Sequence, residues 1–268
     1  MESSNTPGRP WPKGFPKVTT LAHTWEMQEH IDYKAAKAGD REAAARLIVD
    51  MTKSETQQNA LMELAERYPD AILVPVHAEE MEGRNPIPSL LADYIGGITE
   101  LEVNNNIVQS TRALRTDSDA WGRMAFRPAF DGIVQPGRKY IIVDDVITQG
   151  GTLSEMRRYI EASGGEVVQM LTIGAARNST IIALSEKNKH KLERQYGIEA
   201  LQAFLKEVGL YGGNHEALTA SEARQLIEAG TLDEARNRIL EARQKGNGGI
   251  REKVVSGTRS DTTEVNRY

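Results

Sequence analysis

The sequence predicts an α/β fold in which a parallel sheet forms the core and helical segments are added at both ends. The first observation is the run 139–176, where two apolar stretches of strand length flank a stretch of helical periodicity. Strand, helix and strand with short connections form a βαβ unit, which makes the two strands parallel in a covered sheet. The second observation is that the segments outside 71–176 are rich in Ala, Leu and charged residues at helical spacing.

Composition excludes several classes of protein. The chain has 268 residues, with 33 Lys and Arg against 38 Asp and Glu, a formal net charge of −5 and no cysteine. This length suggests one or two domains. Without cysteine there are no disulfides, thiolate metal sites or cysteine nucleophiles, and the net charge excludes a general basic coat for nucleic acid. Because neither a membrane-spanning run nor a signal-peptide pattern is found, we expect a soluble, cytoplasmic protein.

The chain divides by composition into five stretches. Residues 1–20 are rich in Pro and Gly, which predicts a flexible arm. Helices are predicted over 21–70, and the α/β core follows over 71–176. A C-terminal helical region over 177–245 and a polar tail over 246–268 complete the chain.

Local signals define the helix ends outside the core. Asp40 is predicted to cap a helix over 41–53, and a second helix is expected to stop at Tyr68 because a proline follows it. On the C-terminal side, Thr219 and Glu222 fit a capping box at the start of a helix.

Inside the core, strands and helices alternate. The runs 71–76, 139–145 and 166–176 have the apolar pattern of buried strands, the first with a proline at its end. Residues 87–97 predict a helix that ends on a glycine pair, and residues 152–165 predict another closed the same way. The intervening segment 104–137 is polar and lacks periodicity, which is typical of a long functional loop.

The turn between the second strand and its helix carries the chemistry. Asp144 and Asp145 stand at the carboxyl end of the strand, where open parallel sheets bind ligands. Successive side chains on a strand point to opposite faces of the sheet, so the two carboxylates cannot have the same role unless the backbone turns at this point. The Thr-Gln-Gly-Gly-Thr sequence of 148–152 offers hydroxyls, close backbone approach and a helix N-terminus, which suit a phosphate. Acids beside such a cradle predict a sugar phosphate whose diol faces them.

The run YIIVDDVITQGGTL resembles the phosphoribosyl-diphosphate (PRPP) motif of type I phosphoribosyltransferases, with an apolar strand, two acids, Thr and a small-residue loop. Residues 71–96 resemble the first core strand, pyrophosphate loop and helix of that family, and 108–135 fill the place of its flexible loop. In detail, GRN at 83–85 and RMAF at 123–126 are most similar to the competence-associated branch. The resemblance covers the core and neither helical end.

The resemblance implies a glycosyltransferase of the pentosyltransferase type in nucleotide metabolism. It would transfer ribose 5-phosphate from PRPP to a nucleobase-like acceptor with Mg²⁺ as cofactor, releasing pyrophosphate. Asp144 and Asp145 would contact the ribose hydroxyls directly or as metal ligands. The 5′-phosphate would be held by Thr148, Gln149, Gly150, Gly151 and Thr152. Pyrophosphate would face the backbone of Val76, His77 and Ala78.

Loop arginines are the expected cations for the leaving pyrophosphate. Guanidinium groups bind phosphates through two parallel hydrogen bonds, and departure of pyrophosphate leaves an electron-poor ribosyl centre. The candidates are Arg112, Arg115 and Arg123, of which Arg115 and Arg123 join Asp144 and Asp145 as the predicted catalytic residues. A plainer interpretation of each arginine is solvated charge.

Two residues depart from the family pattern. Gln149 stands where many members have a smaller residue, so we expect its backbone to serve while its side chain turns outward. Thr148 stands where 6-oxopurine enzymes carry an acid, which argues against hypoxanthine or guanine as the acceptor. For His77, a loop histidine with one backbone hydrogen bond is the plainer interpretation.

Other functions stay open at this point. A non-catalytic PRPP-sensing or nucleic-acid-linked regulatory protein would keep the ligand site without turnover, and a hydrolytic or salvage role on a related ribosyl phosphate is a weaker alternative. The expected partners are PRPP and a small-molecule acceptor. A membrane is excluded, nucleic acid is not favoured, and a homodimer is expected from the resemblance.

Overall fold

The computed structural model describes residues 7–78, 85–110 and 119–257, with the backbone alone for 246–257. The strands are β1 (Thr19–Thr20), β2 (Ile72–Pro75), β3 (Glu102–Val103), β4 (Val108–Gln109), β5 (Phe130–Asp131), β6 (Lys139–Ile147) and β7 (Glu166–Ala175). The helices are α1 (Thr24–Glu29), α2 (Tyr33–Lys37), α3 (Arg41–Thr52), α4 (Glu55–Arg67), α5 (Ile87–Thr99), α6 (Ala120–Ala125), α7 (Gly151–Ala162), α8 (Glu186–Tyr196), α9 (Ile198–Glu207), α10 (Ala220–Ala229) and α11 (Leu232–Gly257). Two 3₁₀ helices, Tyr211–Gly213 and His215–Ala217, lie between α9 and α10.

The central sheet has the strand order β1-β7-β6-β2-β3, and its neighbouring strands are parallel. The predicted βαβ unit is β6-α7-β7, and β2-α5-β3 forms a second unit that runs the other way across the sheet. The predicted α/β fold class, a parallel sheet with helical additions at both ends, is therefore confirmed. β4 and β5 form a separate antiparallel pair.

Apolar clusters cover both faces of the sheet, as the unbroken apolar run of β6 requires. Ile141 and Val143 pack into one cluster with Leu91 of α5 and residues of α3 and α4. Ile142 points the other way, into a cluster with Met156 of α7. The helices that follow β2 and β6 thus lie on opposite faces.

The C-terminal helices form a third cluster of their own. Phe204 of α9, Leu226 of α10 and Ile239 of α11 are buried together, and Met124 of α6 joins them. The long polar segment between β3 and β6 therefore contains a helix that packs on the C-terminal unit. Six residues are too few to show a helical period in sequence, so this element was not predicted.

The predicted flexible arm is wrong for residues 7–20. Trp11 donates its indole N–H to the Leu218 carbonyl at 2.8 Å, and the Arg157 guanidinium lies 4.3 Å from the Trp11 ring centroid. Thr19 and Thr20 form β1 beside β7. Proline and glycine prevent a helix here, but the contacts of the partly buried Trp11 ring and edge-strand pairing still hold the irregular backbone in place.

Helix caps follow the predictions, whereas two helix ends do not. Asp40 accepts from the Ala43 N–H at 3.0 Å, and Thr219 forms the reciprocal capping box with Glu222. α5 runs past its glycine pair to Thr99. Gly96 does not end the helix but allows close packing, since a Cβ there would lie 2.6 Å from Val103 Cγ2. α11 extends to Gly257, beyond the predicted boundary at 245. None of the helices in the described ranges has the length and apolar character needed to cross a membrane.

Candidate ligand-binding site

The carboxyl ends of β2 and β6 lie side by side at the centre of the sheet. Pro75 pairs with Val143, and the Val76 N–H donates to the Val143 carbonyl at 2.8 Å. Strand order reverses between β2 and β6, and their helices leave to opposite faces, so a crevice opens where ligands bind in such sheets. The structure therefore places β2, which leads into 76–78, beside β6, which leads into 148–152; these are the two segments predicted to hold the ends of one ligand.

Asp145 is a buried, fully engaged carboxylate. Its residue is only 6% exposed, and its Oδ2 accepts from Lys37 Nζ at 2.5 Å and from Asn85 Nδ2 at 2.6 Å. Its Oδ1 accepts from the Val146 N–H at 2.7 Å. Asp144 is half-buried, and its Oδ1 accepts from the Asp145 N–H at 2.9 Å. The two adjacent acids therefore have different surroundings, as strand alternation predicts.

Lys37 is a site residue that sequence reasoning missed. It ends α2, and the preceding helix α1 is attached to the sheet because Thr24 Oγ1 donates to the Ala175 carbonyl at 2.7 Å. Burial opposes the charged form of Lys37, but attraction to the Asp145 carboxylate outweighs it and raises the pKa of the ammonium. A lysine in a short Ala-rich stretch gives no sequence signal of this contact.

The loop between β6 and α7 depends on two glycines. Gly150 caps α7 with φ at 75°, and a Cβ there would lie 2.7 Å from Ile182 Cδ1. A Cβ on Gly151 would collide with the Arg127 guanidinium. The positive end of the α7 dipole lies at this loop, which favours an anion. Thr148 is exposed and Thr152 is half-buried, so both flank the loop within reach of a ligand from solvent.

Gln149 does not turn outward as predicted. Its Nε2 donates to Gln225 Oε1 at 2.6 Å, and its backbone carbonyl accepts from Thr219 Oγ1 at 2.9 Å. Both partners lie at or near the start of α10, so the C-terminal helices hold this loop from behind. The larger residue is accommodated because α10 supplies an amide partner, which the sequence of the loop alone does not reveal.

A buried ionic cluster lies beneath the same loop. Arg127 Nη1 is 2.6 Å from Glu222 Oε1, and its Nε is 3.1 Å from Glu155 Oε1. Tyr211 covers the guanidinium at 4.6 Å and donates its hydroxyl to Glu222 Oε2 at 2.9 Å. Burial opposes the charge of Arg127, but these carboxylates outweigh it and raise its pKa, while burial raises the pKa of Tyr211 well above its ordinary value. Sequence reasoning missed all four residues as a group.

The remaining predicted residues have separate positions. His77 Nδ1 lies 3.2 Å from the Pro75 carbonyl, and burial lowers the pKa of the His77 imidazole. The His77 carbonyl accepts from the Gln109 N–H at 2.7 Å, and Ala78 pairs with the same residue. Arg123 lies on α6, the helix packed on the C-terminal unit. The positions of Arg112 and Arg115, and of residues 79–84, fall outside the described residues.

The hydrogen bonds that Asp145 already accepts leave it little capacity for a magnesium ion. Across the described ranges, no group of three or more His, Asp or Glu side chains could hold a metal by itself. Mg²⁺ commonly needs only one or two carboxylates beside phosphate oxygens, so a single acid suffices. A carboxylate offers about four acceptor positions, and Asp145 already accepts from Lys37, Asn85 and Val146. Direct contact of a metal with Asp145 would require displacement of Lys37.

No protein-family model matches the chain. The chain is 36% identical to Protein TraN of Escherichia coli over 236 residues, which is 88% of this chain and 51% of that protein. It is 37% identical to the adenine phosphoribosyltransferase of Agathobacter rectalis over 71 residues, 26% of this chain and 36% of that enzyme. Part of the chain is similar to phosphoribosyltransferases. The chain spans about half or less of the length of the curated relatives it matches.

The sequence similarity to phosphoribosyltransferases is confined to parts of the chain. Orotate phosphoribosyltransferases match over similarly partial ranges, so the relatives leave the acceptor base open. The solved adenine phosphoribosyltransferase of Leishmania tarentolae overlaps with a TM-score of 0.34 and 16% identity, covering 63% of this chain and 82% of that one.

Proposed function

We propose that the chain binds PRPP in the crevice between β2 and β6 and transfers its ribose 5-phosphate to a nucleobase-like acceptor, releasing pyrophosphate. One observation carries this proposal: β6, the strand that bears the PRPP-like motif, pairs with β2 at the point where the strand order reverses. Partial similarity to phosphoribosyltransferases supports the same reaction class.

The 5′-phosphate would lie on the loop 148–152. Gly150 gives this loop its left-handed turn, and the start of α7 contributes about 0.3–1 kcal/mol of attraction for an anion. Thr148 and Thr152 offer hydroxyls for the remaining phosphate oxygens. The loop is fixed from behind through Gln149, so it would meet the phosphate with little rearrangement.

The ribose diol would face Asp144 and Asp145. Mg²⁺ held by Asp144 and pyrophosphate oxygens would neutralise the charge that develops on the leaving group. The pyrophosphate itself would extend toward the backbone of His77 and Ala78 at the end of β2. We still predict that the loop arginines cover the pyrophosphate; the candidates are Arg112, Arg115 and Arg123.

The finer parts of the proposal are magnesium dependence, a cytoplasmic location, a homodimer and membership of the competence-associated branch. We do not favour the non-catalytic sensing alternative, because the relatives with a named activity are transferases. Nucleic acid binding is not favoured either.

Calorimetric titration with PRPP, with and without Mg²⁺, tests the proposal. We expect metal-dependent binding by the native chain and its loss in Asp144→Asn, which removes the charge and keeps the shape. Asp233→Asn is the matched control, since this acid is 89% exposed on α11. Pyrophosphate release with a panel of bases, adenine and orotate included, then identifies the acceptor. A folded native chain that does not bind PRPP would overturn the proposal.

A further inference from the structure

The ion pair between Lys37 and Asp145 occupies the centre of the candidate site. The ammonium lies 2.5 Å from Asp145 Oδ2, and Asn85 donates to the same oxygen at 2.6 Å. The Asp145 side chain is 8% exposed, whereas that of Lys37 is 37% exposed. One partner is therefore enclosed by protein, and the other reaches it from the solvent side of the crevice.

Charge explains why Asp145 keeps this partner. A carboxylate enclosed by protein is strongly destabilised unless a cation or several donors compensate its charge. Asn85 and the Val146 N–H supply two donors, and among the hydrogen-bond partners of Asp145 in the described ranges only Lys37 supplies a positive charge. Phosphate ligands bring further negative charge to this crevice, so an uncompensated Asp145 would also repel them.

We propose that Lys37 is the built-in counter-ion of Asp145 and lowers the affinity of this carboxylate for divalent cations. Its ammonium keeps divalent cations off this carboxylate and presents Asp145 to the sugar as an acceptor whose charge is already balanced. Of the two acids of the motif, Asp145 is then held by protein and closed to direct contact with a metal. The identity of the sugar ligand rests on the proposed function; the competition between Lys37 and a metal does not.

The structure provides a matched set of variants. Lys37→Met keeps the apolar stem and removes the charge, while Lys37→Arg keeps the charge. Lys37→Gln is a second neutral variant that retains a hydrogen-bond donor, in case the Met variant does not fold. Lys34→Met on the same helix is the control, because Lys34 is exposed. The double variant Lys37→Met/Asp145→Asn tests whether any new metal site uses Asp145.

Mn²⁺ binding without PRPP, followed by electron paramagnetic resonance of free Mn²⁺, is the deciding measurement. Removing a cation in direct contact with a carboxylate changes its affinity for another cation by about tenfold or more. We therefore expect Mn²⁺ to bind at least about tenfold more tightly to the Met and Gln variants of Lys37. The native chain, Lys37→Arg and Lys34→Met should bind alike, and the double variant should lose the gain.

The outcomes separate this inference from the proposed function. Equal Mn²⁺ affinity in the native chain and in the folded neutral variants of Lys37 would overturn the inference, even if PRPP binds. A gain that persists in the double variant would also overturn it, because the new site would not use Asp145. If the gain appears as expected but no variant binds PRPP, the proposed function fails while the counter-ion role of Lys37 stands.

Discussion

The guanidinium of Arg127 lies 2.6 Å from the Glu222 carboxylate and joins the core to the C-terminal helices directly beneath the predicted phosphate loop. Glu222 also accepts from the Thr219 N–H as part of the α10 capping box. A single carboxylate thus caps a helix and pairs with a buried cation. Because Thr219 in turn holds the Gln149 carbonyl, the shape of the loop depends on how the C-terminal helices dock.

Removing this charge should destabilise the protein strongly. In Glu222→Gln the buried Arg127 loses its closest counter-ion, and breaking such a pair costs about 3–5 kcal/mol. Urea denaturation measures the change in the free energy of unfolding. Glu228→Gln is the control, since Glu228 is exposed on the same helix. Equal stability of the Glu222 and Glu228 variants would mean that the ion pair between Arg127 and Glu222 does not stabilise the docking of the C-terminal helices on the core.

The glycines of the chain should respond in opposite directions to alanine. Gly150→Ala places a Cβ against Ile182 at positive φ, so we expect a loss of roughly 1–3 kcal/mol and weaker PRPP binding. Gly97 lies inside α5 with no atom within 4 Å of an added Cβ, and Gly97→Ala should stabilise by about 0.5–1 kcal/mol. Thermal unfolding and calorimetric titration measure both effects. If Gly150→Ala changed neither the unfolding temperature nor PRPP binding, the left-handed conformation of Gly150 and its close contact with Ile182 would be contradicted.

Stability should fall on mild acidification through His77. Burial lowers its pKa below the ordinary 6.5, so the unfolded chain takes up this proton more readily than the folded chain. The stability that neutral His77 contributes to the folded state is complete above pH 6.5. It is lost as the pH falls from there toward the lowered pKa of His77 in the folded state. Chemical denaturation between pH 7.5 and 5.5 (about one unit on either side of an ordinary histidine pKa) measures the slope.

His77→Gln should flatten this slope, by at most about 1.4 kcal/mol per pH unit for one proton. If the slope of the His77 variant matches that of the native chain, protonation of His77 is not coupled to unfolding.

The parts of the fold that were predicted correctly depend on local signals. The continuous apolar run of β6 requires other elements to cover both faces of the strand, and such a run is typical of a buried parallel strand. Asp40 and Thr219 define helix starts within four residues of sequence. The position of Asp144 and Asp145 near the end of β6 follows from the same local pattern, because the glycine-rich segment that comes after them cannot continue the strand.

The contacts that could not be predicted join distant parts of the chain. Lys37 and Asp145 are 108 positions apart, and Arg127 and Glu222 are 95 apart. Their meeting depends on how α2 and α10 dock on the sheet, which no periodicity or cap encodes. Sequence reasoning therefore located the acids of the site but not the cation that balances one of them.

The bond between Trp11 and the Leu218 carbonyl spans 207 positions of sequence. During synthesis on a ribosome, the segment that carries Trp11 emerges long before its partner exists. At about 5–20 residues per second, the wait is roughly 10–40 s. Contacts of such long sequence separation also form late in refolding, because the chain must first close the intervening loop. The Trp11 indole is thus made long before its partner carbonyl, and a chaperone that shields it would act before the C-terminal helices are complete.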